Sequence, residues 1–391
     1  MKNYDIDRAR SYFDLDKGLT YLNNAAHSPM PNPVRKAYEE YFDSWQKTAH
    51  NHDAESFRIF EELRAKLAGM ISAHPERIGF SPNTTFGLNI LASGLRWQNG
   101  DNIVISQKEF PAGVYPWLRL KAKGVELRFA KTNGDFIDED SLIAATDKRT
   151  RLIQTSWVQF NNGYRVDIDR LGNFCSENNI LLSVDGMQGM GVIPIDVPSL
   201  KVDLFTSGCQ KWMLGPCGTG FYYLSERAEA LIDPPLSGWI SVDWKAEFTN
   251  LMRYDLEPRK GPAKYEIGTY AFQDLRALKQ AVDILLSFDS QARWEHIKSL
   301  TDRLISFLQS DKRYQLRSST EDCRRSAIVT FKRQDVGGLH PDAYSTKALY
   351  DYLISNGFIV SFREGAVRVS PHFYNSLDEI ERFIEAVKNF R

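Results

Sequence analysis

The sequence is short of several things, and each shortage narrows the field. Its four cysteines, Cys175, Cys209, Cys217 and Cys323, show no CxxC spacing and no dense framework. That argues against a metal site and against structural disulfides, and it suits a reducing compartment. Charge of one sign is missing too. Its 49 basic residues face 50 acidic ones, so no net field draws the chain to nucleic acid or an anionic membrane. No apolar run approaches the roughly 20 residues that cross a bilayer. The opening stretch, MKNYDIDRARSYFDL, is charged throughout and lacks the apolar segment of a secretory signal. The expectation is a cytoplasmic protein with no nucleic-acid or membrane partner. Internal repeats and low-complexity segments are absent.

What is present is a substantial apolar fraction, 42% of 391 residues, too much chain for one small core. Residues 1–18 form a polar arm. Pro33 stands where a helix would start, followed by the helical pattern VRKAYEEYFDSWQK. Residues 55–72 repeat that period, with Phe57, Phe60, Leu63, Leu67 and Ile71 on one face. Short strands follow at Arg77–Phe80, Asn102–Ser106, Glu126–Phe129, Arg151–Ser156, Ile180–Val184, Val202–Ser207 and Gly220–Leu224. Helix-length segments separate several of them. This alternation predicts an α/β fold, a mostly parallel sheet with helices on both faces.

Residues 233–270 are rich in proline, glycine and aromatics and show no period, the texture of a functional loop. Two helical patterns follow, at Asp274–Ser287 and Trp294–Leu308. The tail then reads strand (Ser326–Phe331), helix (Pro341–Ser355), two strands (Gly357–Phe362, Ala366–Ser370) and helix (Leu377–Phe390). The division expected is a large domain over 19–272 and a smaller α+β domain made of 1–18 and 273–391.

The chemistry concentrates in SVDGMQGMGVIPIDVPSLKVDLFTSGCQKWMLGPCGTG. One buried strand delivers Asp185, and a second delivers Lys211 into a glycine-flanked turn. Ligands of open α/β sheets bind at such strand ends. Asp185 could instead cap a following helix. Lys211 could be solvated, although a neutral stretch beside Trp212 favours a lowered pKa. As a pair they suit a pyridine-ring cofactor, the amine forming an imine and the carboxylate keeping the ring nitrogen protonated. SPNTTFG leads polar residues into an apolar helix, a setting for phosphate, with capping by Thr84 or Thr85 compatible. Arg368 lies in the apolar strand AVRV and needs an acid, either a substrate carboxylate or an internal salt bridge. Arg363 is a second such group or a surface residue.

Taken together, these motifs resemble the class V aminotransferase family of pyridoxal-phosphate (PLP) enzymes, of fold type I. Cysteine desulfurases, kynureninase and isopenicillin N epimerase belong to it. VDGMQ, GCQKWMLGP, SPNTTFGLN and EIGT match family motifs in the family's order, from YLNNAAHSP to VRVSPHFYNSLDEI. The resemblance implies a mostly parallel, seven-stranded-type sheet between helices, with a smaller C-terminal α+β domain. It makes Lys211 the Schiff-base lysine, Asp185 the partner of the ring nitrogen, and Gln188 the contact to the phenolic oxygen. Thr84 and Thr85 become phosphate ligands, with Ser207 and Gln210 in the same cofactor set, Gln210 replacing the usual histidine. Thr269 matches a threonine that reaches the neighbouring subunit's phosphate, which implies a homodimer with shared sites. Arg368 matches the arginine that holds the α-carboxylate.

Phe110 replaces a ring-stacking histidine, and Phe160 and Asn161 flank the cofactor. Ala26, His27 and Arg363 join the substrate side. His27 is a candidate proton donor or a hydrogen-bonded loop residue. Reaction choice is expected to fall to the Ala25-Ala26-His27 loop and to the aromatics near Trp239 and Tyr270. Desulfurases carry a loop cysteine before the carboxylate-binding arginine; Arg363-Glu364-Gly365-Ala366-Val367 has none. The implied function is a PLP enzyme acting at the α carbon of a small amino acid, by transamination or a related elimination or epimerisation. A desulfurase-, selenocysteine-lyase- or kynureninase-like lyase is the alternative. A PLP-binding sensor or scaffold without turnover is the alternative of another class.

Overall fold

The computed structural model describes residues 4–49, 53–244, 249–334 and 342–390. Its centre is a seven-stranded sheet. From one edge the strands run Ile78–Ser81, Gly220–Leu224, Leu204–Gly208, Leu181–Asp185, Thr150–Ser156, Asn102–Ser106 and Glu126–Ala130. Gly220–Leu224 is antiparallel to both of its neighbours, and the other four pairings are parallel. Every residue of Leu181–Asp185 and Leu204–Gly208 is buried. Strands covered on both faces need apolar runs rather than alternation, which is how these segments read in the sequence. The expected α/β architecture is the one found.

Two glycines let the layers close around the sheet's carboxyl edge. A Cβ on Gly186 would lie 2.1 Å from the Phe205 ring, and one on Gly87 would lie 2.2 Å from Thr206 Oγ1. Gly186 lets the chain turn directly under Asp185. Gly87 lets the helix Thr84–Gly94 approach the strand Leu204–Gly208.

Residues 233–270 contain a 3₁₀ turn, Gly261–Tyr265, and no longer regular element among the described residues. The helix Phe272–Leu286 returns to the main core through Leu275, Leu278 and Val282. Next comes a four-stranded antiparallel sheet, in the order Tyr314–Leu316, Val329–Arg333, Ala366–Val369, Ser361–Arg363. The helices Ser290–Ser310, Asp342–Ser355 and Leu377–Asn389 flank it around a second core that includes Leu300, Phe331, Leu353, Val367 and Phe383. The expected start of the middle helix, Pro341, lies outside the described residues. The N-terminal segment meets this region: Thr20–Tyr21 pairs with Phe358–Ile359, and Arg10 bonds Glu379 at 2.9 Å.

Candidate active site

Asp185 ends its strand with Ser156 and Thr206 as its lateral neighbours. It caps no helix; Oδ1 accepts from Met187 N–H at 2.8 Å. The carboxyl is 5% exposed and has no ion pair among the described residues. Burial pushes its pKa up to about 6, against the pull of the Met187 N–H and of Lys211.

Lys211 follows the neighbouring strand. Its Nζ lies 5.7 Å from the centroid of the Phe110 ring. Burial pushes the amine down to about 8; Asp185 pulls it upward, and Arg368 and Arg363 push it further down. Desolvation outweighs the attraction, so the group is held as a nucleophile and base rather than as half of an ion pair.

The third buried charge is Arg368, 2% exposed. Its Nη1 donates to Phe160 O at 2.6 Å and its Nη2 to Ser361 Oγ at 3.3 Å. Nε has no partner, and no carboxylate pairs with the guanidinium among the described residues. Burial, with help from Arg363, pushes even this group down to about 10. Among the described residues no internal salt bridge holds Arg368.

At the helix Thr84–Gly94, capping falls to Asn83, which accepts from Phe86 N–H at 3.0 Å. Both threonine hydroxyls are thereby spared that task. Thr84 Oγ1 accepts from Gly208 N–H at 2.9 Å, which ties the helix start to the strand leading to Lys211. Thr85 is half-buried on the same first turn.

The remaining expected residues distribute as follows. Gln188 donates to Ala25 O at 3.0 Å and accepts from Trp212 Nε1 at 2.8 Å. Its amide thus links the Ala25-Ala26-His27 loop to the lysine turn, with one N–H left over. Ser28 N–H adds a bond to Gln210 O at 3.1 Å. Ala26 is half-buried and His27 is exposed. Both imidazole nitrogens of His27 have partners, Ser28 O at 2.7 Å and Cys217 Sγ at 3.2 Å. Ser207 donates to Gly208 O at 2.8 Å. Phe110 is 41% exposed and meets Phe160 edge-on, with ring centroids 5.2 Å apart. Arg363 and Thr269 are exposed.

Tyr270 is a correction. Its ring packs against Phe60 and Phe80, and its hydroxyl donates to Glu266. A phenol committed to a buried carboxylate inside an aromatic cluster does not choose reaction paths.

Two acids went unnoticed in the sequence. Glu109, 8% exposed, accepts from Ser156 N–H at 2.8 Å and Ser156 Oγ at 2.6 Å. Burial pushes it up to about 7. Glu266 accepts from Arg64 at 2.9 Å and 3.1 Å, from Phe80 N–H at 2.7 Å and from Arg259 at 3.2 Å. It anchors the EIGT turn that presents Thr269. Its glutamate-plus-three-residue motif was visible; its buried partners were not.

The site gathers an amine of lowered pKa, a buried carboxylate, a buried arginine and a polar helix start. Burying three ionic groups without ion pairs is unfavourable unless a ligand completes them. A phosphorylated pyridine aldehyde has complementary parts for the first, second and fourth, and an amino-acid carboxylate for the third.

Comparison with known proteins agrees. The sequence profile of the family described as "Aminotransferase class-V" matches residues 20–383. A probable cysteine desulfurase of Methanothermobacter thermautotrophicus is 28% identical, over 99% of this chain and 98% of its own. The isopenicillin N epimerase of Amycolatopsis lactamdurans is 26% identical, over 97% of each chain. A solved structure of C-DES, with glycine covalently linked to its PLP cofactor, superposes with a TM-score of 0.84 at 20% identity, covering 96% of this chain and 97% of that one. The chain belongs to the class V aminotransferase family and is a PLP-dependent enzyme of fold type I.

Proposed function

We propose that the enzyme acts at the α carbon of a small amino acid, with Lys211 as the group that both engages the cofactor aldehyde and moves the α proton. The observation that carries this is Lys211 itself, an amine that burial holds down to about 8, with no carboxylate paired to Arg368 among the described residues. When bound, PLP supplies an electron sink for the bond broken at the α carbon.

The chain's own residues do the rest. Arg368 receives the substrate carboxylate in a two-pronged contact and fixes which α bond faces Lys211. With the amine at about 8, roughly a quarter of it is neutral at pH 7.5, against about a thousandth for an ordinary lysine. Asp185 supports a proton on the ring nitrogen; such a charged hydrogen bond is worth roughly 1.5–3 kcal/mol. Thr84, Thr85, Ser207 and Gln210 would hold the phosphate end, and Gln188 has one N–H to offer the phenolic oxygen. Phe110 would cover a ring face and keep water off it, without acid or base capacity. Ala26, His27 and Arg363 border the substrate.

Thr269 is exposed and supports a homodimer in which it reaches the partner's site. Exposed apolar side chains, among them Trp45 at 58%, Met252 at 79% and Tyr254 at 90%, support the same reading. A cytoplasmic location fits the free cysteines.

Transamination, elimination and epimerisation share these steps up to proton removal. A persulfide route is disfavoured because the turn before Arg368 is only Glu364-Gly365, flanked by paired strands, and holds no thiol.

The test is the chromophore. Purified protein should be yellow and reducible by borohydride, and a panel of amino acids should alter its absorbance. A Lys211→Ala protein with an unchanged reducible chromophore would sink the assignment. Strong turnover of cysteine that requires a protein thiol would overturn the exclusion of the persulfide route.

A further inference from the structure

The hairpin that carries Arg368 carries a second cation on the same face. Ser361 lies opposite Arg368, and Arg363 lies opposite Ala366. Side chains alternate across a strand, so Ser361, Arg363, Ala366 and Arg368 share one side of the sheet. Arg363 is then the diagonal neighbour of Arg368, about 7–8 Å away by that register. The turn between the strands fixes this relation: Glu364 and Gly365 have φ of 48° and 74°, the paired left-handed geometry of a tight two-residue hairpin.

Both guanidiniums push the Lys211 amine down, so both charges are felt at the reacting centre. Arg363, like Arg368, has no carboxylate partner among the described residues. Nearby acids do not cancel them. Asp135 is taken by Lys108 at 2.6 Å and also by Arg317. Glu364 acts on Lys108. Arg363 and Arg317 line a small cavity beside this wall together with Asp135, Glu364, Asn161 and Thr330, and neither acid pairs with Arg363 among the described residues.

An α-carboxylate satisfies Arg368 alone. A neutral side chain would leave the second cation beside the first with water as its partner. We propose that the substrate is an amino acid with an acidic side chain, its α-carboxylate on Arg368 and its distal acid on Arg363. This rests on the reading of Lys211 and Arg368 given above. The exposure of Arg363 places the distal acid at the mouth of the site, and the diagonal spacing suits the two or three carbons that separate the acids of aspartate or glutamate.

The experiment titrates the holoenzyme with L-aspartate and L-glutamate, with L-asparagine and L-glutamine, and with L-alanine, following cofactor absorbance. Calorimetry with succinate and with butyrate, which lack the amine, supplies a readout independent of cofactor chemistry. Each acid should bind at least about tenfold tighter than its amide, one charged hydrogen-bonded contact being worth that much. Succinate should bind more tightly than butyrate. Arg363→Gln should pull both ratios toward one, and Arg363→Lys should keep part of them. Amides that bind as tightly as the acids in the wild type overturn the proposal, as does a preference that survives Arg363→Gln. A response to alanine without any acid preference removes this inference and leaves the Lys211 reading standing. Silence toward every amino acid removes both.

Discussion

Asp185 gives the sharpest quantitative test, because its burial sets opposite signs for the protein with and without cofactor. The folded carboxyl has a pKa of about 6, above its ordinary 3.8. The native state therefore keeps the proton longer than the unfolded chain does. Its ionisation costs stability: nothing below about pH 4, and the full amount above about pH 6. That gap of about two pKa units, for a side chain 5% exposed, corresponds to about 3 kcal/mol. The amide introduced by Asp185→Asn cannot ionise, yet its oxygen can still accept from Met187 N–H. The cofactor-free variant should therefore unfold later than cofactor-free wild type at pH 8, by up to about 3 kcal/mol or a few degrees in Tm. The difference should shrink as pH falls through 6 and vanish near 4. With cofactor the order reverses, because a neutral amide cannot support a protonated ring nitrogen; cofactor affinity should drop roughly 10- to 100-fold. Thermal unfolding across pH, with and without PLP, measures both arms. If the cofactor-free variant is no more stable at pH 8, or if its advantage persists at pH 4, burial is not what controls Asp185.

Other expectations follow from the same geometry. The neutral amine is the form that attacks an aldehyde, so PLP uptake by the cofactor-free enzyme should accelerate as pH rises through about 8. A midpoint near the ordinary lysine value of 10.5, in stopped-flow absorbance, would refute the desolvated lysine. Arg368→Leu should leave unfolding within about 1 kcal/mol of wild type, since a buried cation with no counter-ion contributes little to stability. The same variant should weaken amino-acid binding roughly 10- to 100-fold in spectral titration. A large loss of stability without a loss of binding would make Arg368 structural. Glu266→Ala takes from Arg64, whose side chain is 4% exposed, its buried carboxylate partner and leaves it the exposed Glu61. Urea unfolding should show a loss of about 3–5 kcal/mol, and a loss below about 1 would mean the network is idle.

Much of the fold and the centre of the site could be read from the chain. The buried parallel strands announce themselves as apolar runs bounded by polar turns, so the strand expected at Asn102–Ser106 matches the observed one. Asp185 and Lys211 stand out only as a pair, since a carboxylate at a strand end can cap a helix and a lysine can be solvated. What stayed hidden depends on contacts between distant residues. Glu266 looks like any surface glutamate until Arg64, 202 positions away, folds against it. Glu109 is buried where Ser156, 47 positions away, offers it two donors. Tyr270 read as a pocket aromatic, since nothing local reveals Phe60, Phe80 and Glu266 around it. The edge strand Tyr314–Leu316 is three residues long, too short to show a period. Arg368 admitted two readings, and no local signal shows that no carboxylate pairs with it among the described residues.

The chain could have paired Asp185 with Lys211 directly, and the reason it does not is chemical. A close ion pair would hold the amine above its ordinary range and leave almost no neutral nitrogen at physiological pH. Instead the structure keeps each charge in a dry setting with little compensation. Asp185 has one backbone N–H, Lys211 has the Phe110 face, and Arg368 has a carbonyl and a hydroxyl. Each of these contacts orients its group without neutralising it. The desolvation cost is borne by the cofactor-free protein, and a ligand that supplies the missing countercharges recovers it as binding energy. The affinity of the site for its ligands and the low pKa of Lys211 thus have one origin, the refusal of three buried charges to satisfy one another. A substitution that lets Asp185 pair with Lys211 should therefore weaken cofactor binding and raise the pH of uptake together.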